Sequence, residues 1–183
     1  MTRPPYDSRS IANLMLEEAA RHGRGLTNLA LQKLLYFAHA LFLVEHGRPL
    51  VSGYFEAWEF GPVHPVVYQA FKIARDRPIT FKACRQDLAT GQPLAPAEPT
   101  EAEIRSHVAK IIAQYGGLST SRLIEIAHAK NAPWHFVVDK SRTGLSYGGR
   151  ITDDVILSRF KHHKVAVSQS PTIGDPGEDT PPA

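Results

Sequence analysis

Nine histidines, one cysteine and a pair of closely spaced glutamates are the residues of this 183-residue chain whose types could do chemistry. Histidine moves protons near neutral pH and ligates zinc. None of His22, His39, His46, His64, His107, His128, His135, His162 and His163 sits in an HExxH arrangement or beside a carboxylate at ligand spacing. His39 with His46, and His128 with His135, stand seven residues apart. On a continuous helix that spacing separates side chains of one face by roughly 10 Å, too far to share a metal without a bend. Pro133 interrupts the second pair, so a bend is possible there. The plainer reading makes these histidines polar caps and surface groups.

The remaining chemical candidates are weaker. Cys84 is the single cysteine, which rules out an intramolecular disulfide and a Cys-rich zinc cage, and Lys82-Ala83-Cys84-Arg85 supplies no base for a nucleophile. No GxxxxGK[ST] occurs, and the glycines between residues 144 and 149 do not form GxGxxG. Glu56 and Glu59, three apart on an expected strand, point to opposite faces and cannot work as an acid/base pair. We therefore expect no catalytic residue, no metal and no cofactor, and read the chain as a binding protein rather than an enzyme.

Composition bounds the elements that position these residues. With 43% hydrophobic and 21% charged residues the chain suits one globular domain with its own core. The longest apolar stretch, residues 29–44, is broken by Gln32, Lys33 and His39, too short and too polar for a membrane span. The N-terminal residues lack a secretory pattern, so a cytoplasmic home is expected. The net charge is +3, but residues 165–183 carry Asp175, Glu178 and Asp179 without a Lys or Arg. The basic residues before them are scattered, with no run of five to eight, which argues against nucleic acid as the main partner. A small DNA-binding regulator stays as the alternative class.

Periodicity gives about six helices. The first opens at Asp7 or Ser8 and ends at Gly23; the second runs over 29–46 and is apolar nearly all round, hence central. Residues 53–60 read as a half-buried strand, 61–65 as a stiff connector, and Pro65 as the first position of a helix to about residue 74. Residues 76–100 hold Pro78, Pro93, Pro96 and Pro99 and read as an irregular crossing, with 79–83 a possible short strand. Thr100 and Glu103 form a capping box for a fourth helix. A fifth starts at Ser119 and stops before Pro133, and Thr152 caps the last, with Asp153 and Asp154 in its first turn. The expected fold class is α+β, predominantly helical, with a small antiparallel sheet. Residues 1–165 form the domain, and residues 166–183, rich in proline and acidic side chains, form a disordered tail.

Several stretches together resemble the Panacea domain antitoxin family: Leu31-Gln32-Lys33-Leu34-Leu35-Tyr36-Phe37, Gly47-Arg48-Pro49-Leu50, Phe55-Glu56-Ala57-Trp58, Gly61-Pro62-Val63 and Val67-Tyr68. A second block, residues 121–128 followed by Pro133-Trp134, ends its helix on Ala127-His128 where the family pattern has a Thr-His pair. The resemblance implies an antitoxin whose partner is a cognate protein toxin. Delivery of that toxin to the ClpXP protease, with the ClpX unfoldase as second partner, is the mode implied; simple sequestration is the alternative. It implies no catalytic role for Leu31, Gln32, Lys33, Leu34, Tyr36, Phe37, Glu56, Trp58, Gly61, Pro62, Tyr68, His128, Pro133 or Trp134, which are either scaffold or toxin-binding. As scaffold, buried Lys33 should pair with Glu56, and Trp58 and Trp134 should cover the second helix with their indole N–H groups on acceptors. Partner choice then falls to exposed segments such as 76–100 and 140–150.

Overall fold

A computed structural model describes residues 4–142 and 149–162. Among them are seven α-helices: α1 (Ser8–Arg21), α2 (Asn28–His46), α3 (Pro65–Phe71), α4 (Ala102–Tyr115), α5 (Thr120–Ala127), α6 (Pro133–Arg142) and α7 (Asp153–Arg159). Strands β1 (Phe55–Trp58), β2 (Gly61–Val63) and β5 (Arg150–Ile151) make an antiparallel sheet in the order β2-β1-β5. A separate hairpin pairs β3 (Arg85–Gln86) with β4 (Pro93–Leu94). The fold is α+β and mostly helical, as its periodicities require.

The centre is α2. Its run of Leu31, Leu34, Leu35, Ala38 and Phe42 leaves no polar face, and α1, α3, α4, α5, α7 and β2 all pack on it. Thr27 caps its first turn by accepting from the Ala30 N–H, and Gly47 ends it at φ 65°, a left-handed conformation natural to glycine. Burial on several sides makes this helix the largest apolar contribution to stability.

Four expectations are corrected. The connector at 61–65 contains strand β2: Gly61, at φ 100°, closes a tight turn that pairs it with Trp58, and Pro62 is tolerated because β2 is an edge strand. The strand therefore ends at Trp58, and Glu59 and Phe60 lie in the turn. No strand forms at 79–83, because the Ala83 backbone is taken on both sides by the Asn13 side chain at 2.8 and 3.0 Å, and Ile79 N–H donates to Leu26 O. Thr100 caps nothing. Helix α4 starts one residue later with Glu101 as its N-cap residue, and the Glu101 carboxylate instead accepts from the Tyr6 hydroxyl.

Pro133 opens a helix, α6, rather than only ending one, since its fixed φ and missing N–H suit a first turn. That raises the expected six helices to seven. Thr152 caps α7 as expected, accepting from Val155 N–H. Just before Thr152 the chain also adds β5, whose Arg150 and Ile151 pair with Glu56 and Phe55. Residues 166–183, and Gly144 and Gly148 of the glycine-rich stretch, lie outside the described residues.

Candidate functional site

Strand β2 is the edge of its sheet, and a bare edge exposes backbone groups to any passing strand. Two neighbouring side chains of α2 fill that place. Lys33 donates from Nζ to the Pro62 carbonyl at 2.9 Å, and Gln32 Oε1 accepts the His64 N–H at 2.8 Å. Gln32 Nε2 in turn donates to Asn28 Oδ1 at 3.0 Å, and Asn28 Nδ2 to the Tyr68 carbonyl at 3.2 Å. One polar chain thus joins α2, the end of β2 and α3. Gln32 and Lys33 are fully buried, so each of these bonds replaces water that neither group can reach.

The expected Lys33–Glu56 ion pair is not among the ion pairs of the described residues. Lys33 reaches the Pro62 carbonyl, while Glu56 accepts the Trp58 indole N–H at 2.7 Å. The Trp134 indole N–H donates to the Trp58 carbonyl, also at 2.7 Å. Both indoles therefore find acceptors, and both rings stay half-buried. Trp58 meets Tyr68 edge to face with centroids 4.9 Å apart, and Trp134 stacks on His128 at 3.6 Å.

Gly61 brings the two halves together. A methyl group at its Cα would lie 2.9 Å from Lys33 Cε and 3.4 Å from His128 Nε2. Lys33 of the first block and His128 of the second therefore meet across this glycine. The His128 Nε2 is buried without a hydrogen-bond partner. Burial, then the charges of Lys33 and His135, push the His128 pKa down to about 4, so the ring beside the Lys33 ammonium is neutral. Leu31, Leu34, Tyr36 and Phe37 are core residues on the other sides of α2, and Tyr36 packs on both Phe37 and Phe55. Of the remaining predicted residues, Pro133 begins α6 and so aims Trp134 back at His128.

Reading the sequence missed Asn28, His39 and His64 as parts of this frame. Val51 N–H donates to His39 Nδ1 at 3.4 Å, which leaves Nε2–H to donate to Asp153 Oδ1 at 3.0 Å and ties α2 to the first turn of α7. His64 donates from Nε2 to Ser52 O at 2.9 Å, and His107 to Ala38 O at 2.8 Å. A polar residue inside an apolar helix was the available signal, but its partners lie 12 to 114 positions away. Among the described residues no group of three or more His, Cys, Asp or Glu side chains is arranged to hold a metal. None of their helices is long and apolar enough to cross a membrane.

Because Trp58 is only half-buried, Trp58→Ala should cost about 2 kcal/mol, below the figure for a fully enclosed tryptophan. The domain should stay folded in a thermal melt; loss of the cooperative transition at 25 °C would mean that Trp58 holds the sheet.

A mostly helical domain whose signature residues bond one another, helix to strand and strand to helix, has the makings of a recognition scaffold. The chain belongs to the antitoxin family described as Antitoxin SocA-like, Panacea domain, whose family model matches residues 31–135. It is 44% identical over 185 residues to Antitoxin SocA of Caulobacter vibrioides (strain NA1000 / CB15N), a likeness covering 100% of this chain and 98% of that protein. No solved structure matches it.

Proposed function

We propose that this chain is the antitoxin of a toxin–antitoxin pair, that it binds a cognate protein toxin, and that it acts as an adaptor delivering the toxin to ClpXP. The observation that carries the reading is the likeness to Antitoxin SocA along the whole chain, beyond the segment the family model matches. The engagement of the signature residues inside the fold supports the same view, since it leaves recognition to exposed segments. On this reading the protein works in the cytoplasm, has no catalytic step of its own, and uses separate faces for toxin and for ClpX.

Delivery and sequestration differ in what happens to the toxin. A masking antitoxin lowers free toxin by mass action alone and protects cells lacking the protease. An adaptor needs the protease, and the toxin is what disappears. The toxin's half-life should therefore shorten several-fold when this chain is present, and only in cells that have ClpXP. An unchanged half-life with growth still rescued would establish sequestration instead.

A further inference from the structure

Helix α3 carries apolar side chains on its inward side and also on its outward side, where they share the surface with the exposed Gln69. Val67 and Phe71 face the core, whereas Val66 and Ile73, one on α3 and one on the 3-10 turn over Lys72–Ala74 that prolongs it, point outward at 46% and 78% exposure. Exposed aliphatic side chains at helical spacing mark contact surfaces when they are grouped. Around Ile73 stand Lys72, Arg75 and Arg77, all exposed and all absent from the ion pairs of the described residues. Asp76 is the one acid in that turn.

This surface is held in shape. Arg75 N–H donates to Lys72 O at 3.1 Å and Arg77 N–H to Ala74 O at 3.0 Å, which keeps Arg75 at φ 53°. The loop that follows is pinned where Ile79 N–H donates to Leu26 O at 2.9 Å. A preformed surface loses little entropy on binding. Its charge selects an acidic partner, and its aliphatic centre selects a protein: arginines around an apolar anchor make an interface, whereas phosphate recognition has no use for Ile73.

We infer that the outward side of α3 and its following turn, with Val66, Lys72, Ile73, Arg75 and Arg77, is the surface on which the toxin docks, through an acidic patch around an apolar socket for Ile73. The inference rests on the toxin-binding reading above. Its test is titration calorimetry of the full chain with the purified product of the neighbouring reading frame. Ile73→Asp should weaken Kd by about thirtyfold and K72E/R77E by about tenfold, the latter with a flatter salt dependence. Leu157→Asp, on the exposed side of α7, should stay within about twofold, the scatter of an interface-neutral change. Melting temperatures should match wild type, because every altered side chain is exposed.

If wild type binds and both α3 variants bind as well as it does, or Leu157→Asp is equally weakened, this surface is wrong while toxin binding stands. If wild type fails to bind, the toxin-binding reading falls and takes this surface with it. If a duplex oligonucleotide binds wild type and loses K72E/R77E, the surface is for nucleic acid and the inference is overturned.

Discussion

Gly61→Ala should lower stability by about 3 kcal/mol or more, the combined cost of a disfavoured backbone and an overpacked core. At φ 100° only glycine is at ease, so any side chain strains the turn between β1 and β2. The added methyl would also stand 2.9 Å from Lys33 Cε. A lysine tip usually swings aside at little cost, but Lys33 is fully buried and its ammonium is bonded to the Pro62 carbonyl. Moving it breaks that bond inside the core, where water cannot replace it.

Gly47→Ala separates the two contributions. Gly47 also has positive φ, at 65°, yet nothing lies within 4 Å of a methyl placed there. It should lose only about 1 kcal/mol, the backbone part. In a domain of this size 1 kcal/mol moves the melting temperature by about 2 to 4 °C, so thermal melts resolve the pair. Equal losses in the two variants would show that Lys33 yields freely and that the helix-to-strand bond is weak.

What could be read from the residues, and what could not, follows from how far each interaction reaches. Helix α2 was legible because an all-round apolar run with Thr27 before it and Gly47 after it has one stable placement. The caps at Asp7, Ser119 and Thr152 were legible because a cap and its partner are at most a turn apart. Strand β2 was hidden by Gly61-Pro62, which punctuates a turn as readily as it begins an edge strand. Lys33 was recognised as a buried cation in need of a partner, but a backbone carbonyl carries no residue-type signature, so Glu56 looked the better acceptor. The His39–Asp153 bond joins residues 114 positions apart, which no local pattern reports. Gly61 stood out as a glycine in a signature, while its role between Lys33 and His128 needed the packing of α5 against β2.

Acid should destabilise this domain well above the pH at which carboxylates protonate. Burial holds the pKa values of His64, His107 and His128 below the ordinary value of 6.5, and that of His128, beside the Lys33 ammonium, is pushed down to about 4. A histidine depressed in the folded state is charged first in the unfolded chain. Its contribution is complete above pH 6.5 and is lost progressively as pH falls toward the folded value. Each such group can cost up to about 1.4 kcal/mol per pH unit within that window, and His128 costs less because its ring is only partly buried and so partly screened. Asp7 acts lower: burial raises its carboxyl, but the bonds from Arg9 outweigh that and hold it below the usual range. The melting temperature should therefore fall by about 5 to 10 °C between pH 7 and pH 5 and go on falling to about pH 4, where the loss of the Asp7 contribution begins to add to it. His128→Phe keeps a ring to stack on Trp134 and removes both the unpartnered Nε2 and the proton it would take up. Its pH profile should be shallower than wild type while its stability at pH 7 is equal or higher. Parallel profiles for the two proteins would mean that water reaches the His128 ring and that the Lys33–Gly61–His128 contact opens in solution.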